Sequence, residues 1–191
     1  MHKEVLGRAH GRVFELLSLI GDLLELTKAQ GAEARALEAK PIQLADVLQS
    51  VCELMKVEAD SKNLFLSVDV VPDLPPVRAD PDQMKLVWTN LISNAIKYTE
   101  PGGTVVASLS HDPNYVVGAV RDTGIGIAHE DLPRIFEEFY RTTGAKAVCP
   151  WGTGVGLSIV KCTIENYGGK VGVESELGRG SKFTFILPKA R

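Results

Sequence analysis

The hydrophobic period of the chain changes at Pro41, and that change limits the architecture more than any other feature. Over the first thirty residues apolar side chains recur every seven positions. Leu6, Val13 and Ile20 form one row and Ala9, Leu16 and Leu23 a second, with Leu17 and Leu24 beside it. This is the wide stripe of a bundle helix, and one helix alone cannot hide it. It requires a partner helix or a second copy of itself. Gly31 and the Ala/Glu-rich stretch to Lys40 end the repeat. The spacing predicts a long helical element over 1–40 and a separate domain over 41–191.

Beyond Pro41 helical and strand periods alternate. Residues 44–62 read as a helix, through Val47, Leu48, Val51, Leu54, Met55 and Val57, and 64–70 alternate as a strand. Pro72, Pro75 and Pro76 mark a loop. Asp80 ahead of Pro81 is an N-cap followed by a first-turn proline, and the helix it starts should run to about Tyr98, where Pro101-Gly102-Gly103 stops the chain. Strands near 104–110 and 115–121 meet through His111-Asp112-Pro113-Asn114 as a hairpin. A short helix over 131–139, a loop to Thr153, a helix over about 155–166 and strands over 170–175 and 182–187 complete the chain. The mixture predicts an α+β fold, a two-layer α/β sandwich. Its sheet is mixed and mostly antiparallel, with helices on one face and the bundle-type helix ahead of it.

Composition removes several classes. With 191 residues, 45% hydrophobic and 24% charged, the chain lies in the ordinary globular range. A net charge of -3 gives no basic field for a phosphodiester backbone, so nucleic acid is not an expected partner. Cys52, Cys149 and Cys162 are odd in number and without CxxC spacing. They predict isolated thiols in a reducing cytoplasm, not a zinc site or a disulfide framework. No apolar run approaches the roughly 20 residues of a membrane span. The expected location is cytoplasmic, any membrane anchor of a larger protein being outside these residues.

Three glycine clusters stand where elements join: Asp122-Thr123-Gly124-Ile125-Gly126-Ile127, Gly152-Thr153-Gly154-Val155-Gly156-Leu157 and Gly178-Arg179-Gly180. Missing side chains there let backbone amides approach a ligand, and the second cluster opens a helix, whose N-terminus is a phosphate site. Taken singly, each is a common turn. The Walker pattern is absent, because Leu157-Ser158 follows Gly156 where Lys and Ser or Thr are needed. The strands look antiparallel, which leaves no parallel βαβ unit for a dinucleotide fingerprint. The helix expected over 81–98 adds a polar stripe. Asn90, Asn94 and Lys97 put two amides and an ammonium on one face.

With stripe and glycine loops in this order, the chain resembles the Bergerat-type ATPase and kinase superfamily and, within it, the sensor histidine kinases. Residues 90–99 resemble the N box, 122–127 the G1 box, 136–141 the F box, 152–157 the G2 box and 178–181 the last glycine box. The resemblance implies an ATP-dependent protein-histidine kinase using ATP and Mg²⁺. It implies that Asp122 accepts a hydrogen bond from the adenine amino group, and that Asn94, with Asn90 beside it, holds Mg²⁺. Lys97 and Arg141 would offset phosphate charge, and Tyr98 would border the nucleotide. Gly124, Gly126 and Ile127, with Thr142, Gly152, Thr153, Gly154, Val155, Gly156 and Leu157, would form cradle and lid. Ser181 would contact adenine directly or through water. Residues 142–151 read as the mobile lid, anchored in the core by Phe136 and Phe139.

Hydrolysing relatives place a glutamate where Asn90 stands, and an amide cannot take a proton at neutral pH. The resemblance therefore implies a site that holds ATP for another nucleophile. In the family this is a histidine on a helical hairpin that dimerises as a four-helix bundle, and residues 1–30 resemble the hairpin's second helix. His2 and His10 lack the Glu-x-x-x-Pro context of the acceptor, which is expected outside this chain. The implied partners are that hairpin, a homodimer built on it, and a response-regulator receiver domain. Other readings stay open: a nucleotide-sensing pseudokinase, a gyrase- or chaperone-like ATPase, and an anti-sigma-type serine kinase, which shares the boxes without needing the bundle helix.

Overall fold

The computed structural model describes residues 39–190 together with Ile20, Gly21, Leu24 and Thr27. The remainder of the expected 1–40 element lies outside the described residues. From Ala39 onward the order is β1 (Lys40–Ile42), α1 (Leu44–Ser61), β2 (Phe65–Val70), β3 (Val77–Ala79), α2 (Pro81–Tyr98), β4 (Thr104–His111) and β5 (Tyr115–Asp122). Then come α3 (Thr143–Val148), α4 (Gly156–Asn166), β6 (Lys170–Glu176) and β7 (Gly180–Pro188). Five strands form one sheet in the order β2-β4-β5-β7-β6, and β1 pairs with β3 separately.

Alternation on the inner strands makes one face of the sheet apolar. Val105, Ala107 and Leu109 of β4, Val116 and Val120 of β5, and Phe183, Phe185 and Leu187 of β7 are buried in one core. α1 and α2 supply the other layer. α1 contributes Leu44, Leu48, Val51 and Cys52, and α2 contributes Met84, Val87, Trp88, Leu91, Ile92 and Ile96. Trp88 meets Phe185 edge-on at 5.0 Å and 65°, an arrangement aromatic quadrupoles favour. The sequence dictates the start of α2 as expected: the Asp80 side chain accepts from Asp82 N–H at 2.8 Å with Pro81 behind it. At the other end, Lys62 Nζ donates to the carbonyls of Ile96 and Lys97 at 2.8 and 2.7 Å. A cation there complements the helix C-terminus and ties α1 to the last turn of α2.

The structure corrects four local expectations. First, strands β1 and β3 were not anticipated, and Pro41 lies inside β1. Ala39, with its carbonyl held by Arg78 Nη2 at 2.6 Å, already belongs to the folded body. Second, β2 pairs with β4 in parallel, from Phe65 opposite Thr104 to Val70 opposite Leu109, with α2 in the crossover where no parallel unit is expected; the other pairs are antiparallel, so the sheet is mixed and mostly antiparallel as expected. Third, residues 131–139 form successive turns, with bonds from the N–H of residues 131, 134, 137 and 140 each to the carbonyl three positions back. Pro133 has no N–H to continue a helix, and Phe139 has φ 62, which no helix allows. Phe136 packs on Phe183 as expected of an anchor, but Phe139 is 53% exposed. Fourth, the lid segment contains α3, whose N-cap Thr142 accepts from Ala145 N–H at 3.0 Å.

The three thiols are unpaired. Burial pushes Cys52 up to about 11, so it stays protonated and behaves as a small apolar core residue.

Candidate nucleotide-binding site

Between α2, the loop after β5, the lid segment and the start of α4 lies a cavity of about 690 Å³. The face of α2 opposite its core stripe points into it, carrying Asn90, Ser93, Asn94, Lys97 and Tyr98. Asn90 is fixed, because its Nδ2 donates to Leu86 O at 2.9 Å. The Asn94 amide has no protein partner among the described residues, and Lys97 has no anion there; its ammonium stands 5.9 Å from the Tyr98 ring centre.

At the C-terminal end of α2, Tyr98 O accepts from Ile125 N–H at 3.1 Å and so seats the loop that leaves β5. Asp122, 5% exposed, closes this recess. Its Oδ1 accepts from Gly124 N–H at 2.8 Å and from Ser181 N–H at 3.2 Å. Its Oδ2 has no protein partner among the described residues. Burial pushes the carboxyl above the usual aspartate value, and the two N–H donors only partly oppose this. Gly180 beside it has φ +97, and a Cβ there would lie 2.1 Å from Asp122 O. No other residue would let β7 come this close to the end of β5.

Eight residues up α2 from Tyr98, Asn90 abuts Gly156, the first residue of α4. At about 1.5 Å per residue the two ends of the α2 face are roughly 12 Å apart. This second end contains bare amides at a helix N-terminus, a ready anion site. Leu157 lines it, as do Gly152, Thr153 and Gly154 from the lid segment. Arg141 also faces the cavity, but its guanidinium is a clasp for that segment. Nη1 donates to Pro150 O and Gly152 O at 3.1 Å each, and Nη2 donates to Ala145 O at 3.2 Å and to Cys149 O. Nε–H is the donor left for an anion.

The expected site residues gather here, with two exceptions. Gly124 lies beneath Asp122 and does not line the space, and Val155 is fully buried against Ile159 and Leu86. Gly126, Ile127, Thr142 and Ser181 do line it. So do Ile125, Tyr140, Ala145 and Trp151, which fall inside the boxes and lid segment without a role of their own, and Ile135 and Phe183, which lie outside them. For Phe183 the inward alternation of β7 is the available signal; for Trp151 it is its place in the lid segment 142–151. Tyr140 is held by its hydroxyl donating to Asp131 and by the Arg134 guanidinium 4.1 Å over its ring. The hydrogen bond to Asp131 raises its phenol above the ordinary tyrosine value.

An apolar recess closed by a carboxylate, a free amide midway and a helix N-terminus with nearby cations define a nucleotide-binding domain of the kinase and ATPase class. Residues 79–191 match the family model described as histidine kinase-, DNA gyrase B-, and HSP90-like ATPase. The adaptive-response sensory kinase SasA of Synechococcus elongatus is 36% identical over 185 residues, covering 96% of this chain and 47% of that protein. Among solved structures, full-length ShkA in complex with AMPPNP aligns with TM-score 0.75 and 34% identity, over 92% of this chain and 36% of its own. The catalytic domain of histidine kinase ThkA aligns with TM-score 0.70 and 28% identity, over 80% and 98% respectively. The chain belongs to this family, and within it to the ATP-binding catalytic domains of two-component histidine kinases. It spans about half the length of SasA.

Proposed function

We propose that this domain holds Mg-ATP and passes the γ-phosphoryl group to a histidine on a helical hairpin, from which a response-regulator receiver domain takes it. The observation that carries this reading is that Asp122 is the single carboxylate among the residues lining the cavity. It is engaged by two backbone donors in the recess, and where a hydrolytic enzyme needs a base there is the fixed amide of Asn90. An amide cannot deprotonate water. General-base assistance is worth about 10² to 10⁴ in rate, so water should be a poor acceptor and ATP should persist until an external nucleophile arrives.

The residue roles follow from chemistry. Asp122 Oδ2 would accept from the amino group of adenine. Asn94, whose amide is unengaged, fits the one protein oxygen that magnesium needs beside phosphate oxygens and water. When bound, the metal supplies charge neutralisation at the phosphates. Lys97, Arg141 Nε–H and the N-terminus of α4 would meet phosphate charge, and phosphoryl transfer of this kind rests mainly on such positioning. Residues 1–30 would belong to the hairpin and its homodimer, with a linker leading from them into the folded body at Ala39. No helix among the described residues is long and apolar enough to cross a membrane. A kinase of this class that draws on ATP would work in the cytoplasm.

The test is incubation with radiolabelled ATP and an acceptor hairpin supplied in trans. Label on the hairpin that is acid-labile and alkali-stable is expected, with little phosphate released in its absence. Rapid phosphate release without acceptor would favour the gyrase- or chaperone-like reading, and ATP binding without transfer the pseudokinase.

A further inference from the structure

Ser175 lies on β6 and does not line the cavity, yet its hydroxyl decides what Ser181 offers there. Three contacts meet at Ser175 Oγ. It accepts from Ile127 N–H at 2.8 Å, and it stands 2.9 Å from Gly180 O and 2.9 Å from Ser181 Oγ. A hydroxyl has one proton and two lone pairs. The Gly180 carbonyl can only accept, so it takes the Ser175 proton. Ile127 N–H occupies one lone pair, and the other is left to accept from Ser181. No other assignment makes hydrogen bonds of all three contacts: with the Ser175 proton turned to Ser181, the Gly180 carbonyl would face a lone pair at 2.9 Å.

The Ser181 proton is thus directed at Ser175, and its backbone N–H is directed at Asp122 Oδ1. What Ser181 has left for a ligand is lone pairs. Asp122 Oδ2, as a carboxylate oxygen, is likewise an acceptor. We infer that Ser175 is a positioning residue for base selection. By taking the Ser181 proton it leaves Ser181 Oγ, like Asp122 Oδ2, as an acceptor, which suits an exocyclic amino group of a purine at that position and opposes a carbonyl there. The inference rests on the assignment of the base to Asp122 made above.

Inosine triphosphate carries a carbonyl where ATP carries the amino group, so the two are the probes. Calorimetric Kd values for Mg-ATP and Mg-ITP would be measured on the parent, Ser175→Ala and Ser175→Thr. Without the Ser175 hydroxyl, Ser181 O–H is free to turn and donate to the inosine carbonyl. The ratio Kd(ITP)/Kd(ATP) should fall about three- to tenfold in Ser175→Ala, the range of one neutral hydrogen bond. It should return to the parental value in Ser175→Thr, which keeps the hydroxyl on a residue suited to a strand. Loss of the partner of Ile127 N–H loosens the loop for both nucleotides and moves both Kd values by a common factor, leaving the ratio alone. A selective parent whose ratio is unchanged in Ser175→Ala would overturn the role of Ser175, as would a ratio that falls equally in both variants. A parent that does not discriminate at all would remove the base from Asp122, a separate failure.

Discussion

A methyl group on Gly156 would stand 2.5 Å from Asn90 Oδ1. Gly156 has no left-handed φ, so alanine suits its backbone and the conflict is purely one of space. Asn90 can swing away only by giving up the bond from its Nδ2 to Leu86 O. Gly156→Ala should therefore either break that bond or force α2 and α4 apart at this end of the cavity. We expect a loss of about 1–3 kcal/mol in urea unfolding, typical of overpacking. Since both residues line the cavity, ATP affinity should fall about tenfold as well. Parental stability and affinity in the variant would show the contact to be slack.

In the proposed site Asp122 would link nucleotide recognition to pH. Because burial raises its folded carboxyl above the unfolded value of about 3.9, the folded state holds more protons than the unfolded one between the two values. The contribution of this group to stability therefore falls as pH rises from about 4, and levels off above the folded value. Asp122→Asn keeps an oxygen for Gly124 and Ser181 N–H and removes the buried charge. The variant should gain stability relative to the parent as pH increases over that window, read as diverging urea midpoints. It should also lose about 1.5–3 kcal/mol of ATP affinity, the value of a hydrogen bond to a charged partner. A stability difference that shrinks with rising pH would contradict the sign.

Asn94 and Asp122 stand on different elements, so metal and base contributions should separate. Asn94→Ala is expected to abolish most of the magnesium-dependent gain in ATP affinity while leaving the preference for adenine intact. Titrations with and without magnesium decide this. An identical magnesium response in variant and parent would make Asn94 a structural residue.

Arg141 reaches the carbonyls of Ala145, Cys149, Pro150 and Gly152 at once. A lysine ammonium is a point charge without the planar fork needed to span them. Arg141→Lys should leave the core intact and loosen the lid. Amide exchange over 143–152 is expected to quicken by about tenfold, with the strands unaffected. Exchange unchanged in that segment would mean the lid holds its shape through α3 alone.

Much of this was legible in the chain because the signals were local. Asp80-Pro81 marks a helix start by its own chemistry, and the turn at 111–114 announces the hairpin of β4 and β5. The polar stripe Asn90, Asn94, Lys97 shows on its face because one helix holds all three. Partnership between distant segments was not legible. Alternation in β2 says that it is a strand, not that its neighbour is β4 in parallel. Strands β1 and β3, of three residues each, are too short to show a period. Residues 131–139 have Leu132, Ile135, Phe136 and Phe139 at helical spacing, and there the pattern misled. The missing N–H of Pro133 and the left-handed Phe139 outweigh it. The clasp role of Arg141 depends on carbonyls, which sequence does not distinguish.

Ser181 N–H and Asp122 Oδ1 meet across 59 residues of chain, at the seam where the β4–β5 hairpin joins the β6–β7 hairpin. Each hairpin forms from near neighbours, but the recess exists only after the two have docked. A chain with either hairpin alone has half a recess and cannot hold the base as proposed. Ligand therefore acts on folding by mass action through the finished native state, adding about 2.7 kcal/mol at a hundredfold excess over Kd. Nucleotide should lengthen the lifetime of the folded domain without hastening its formation.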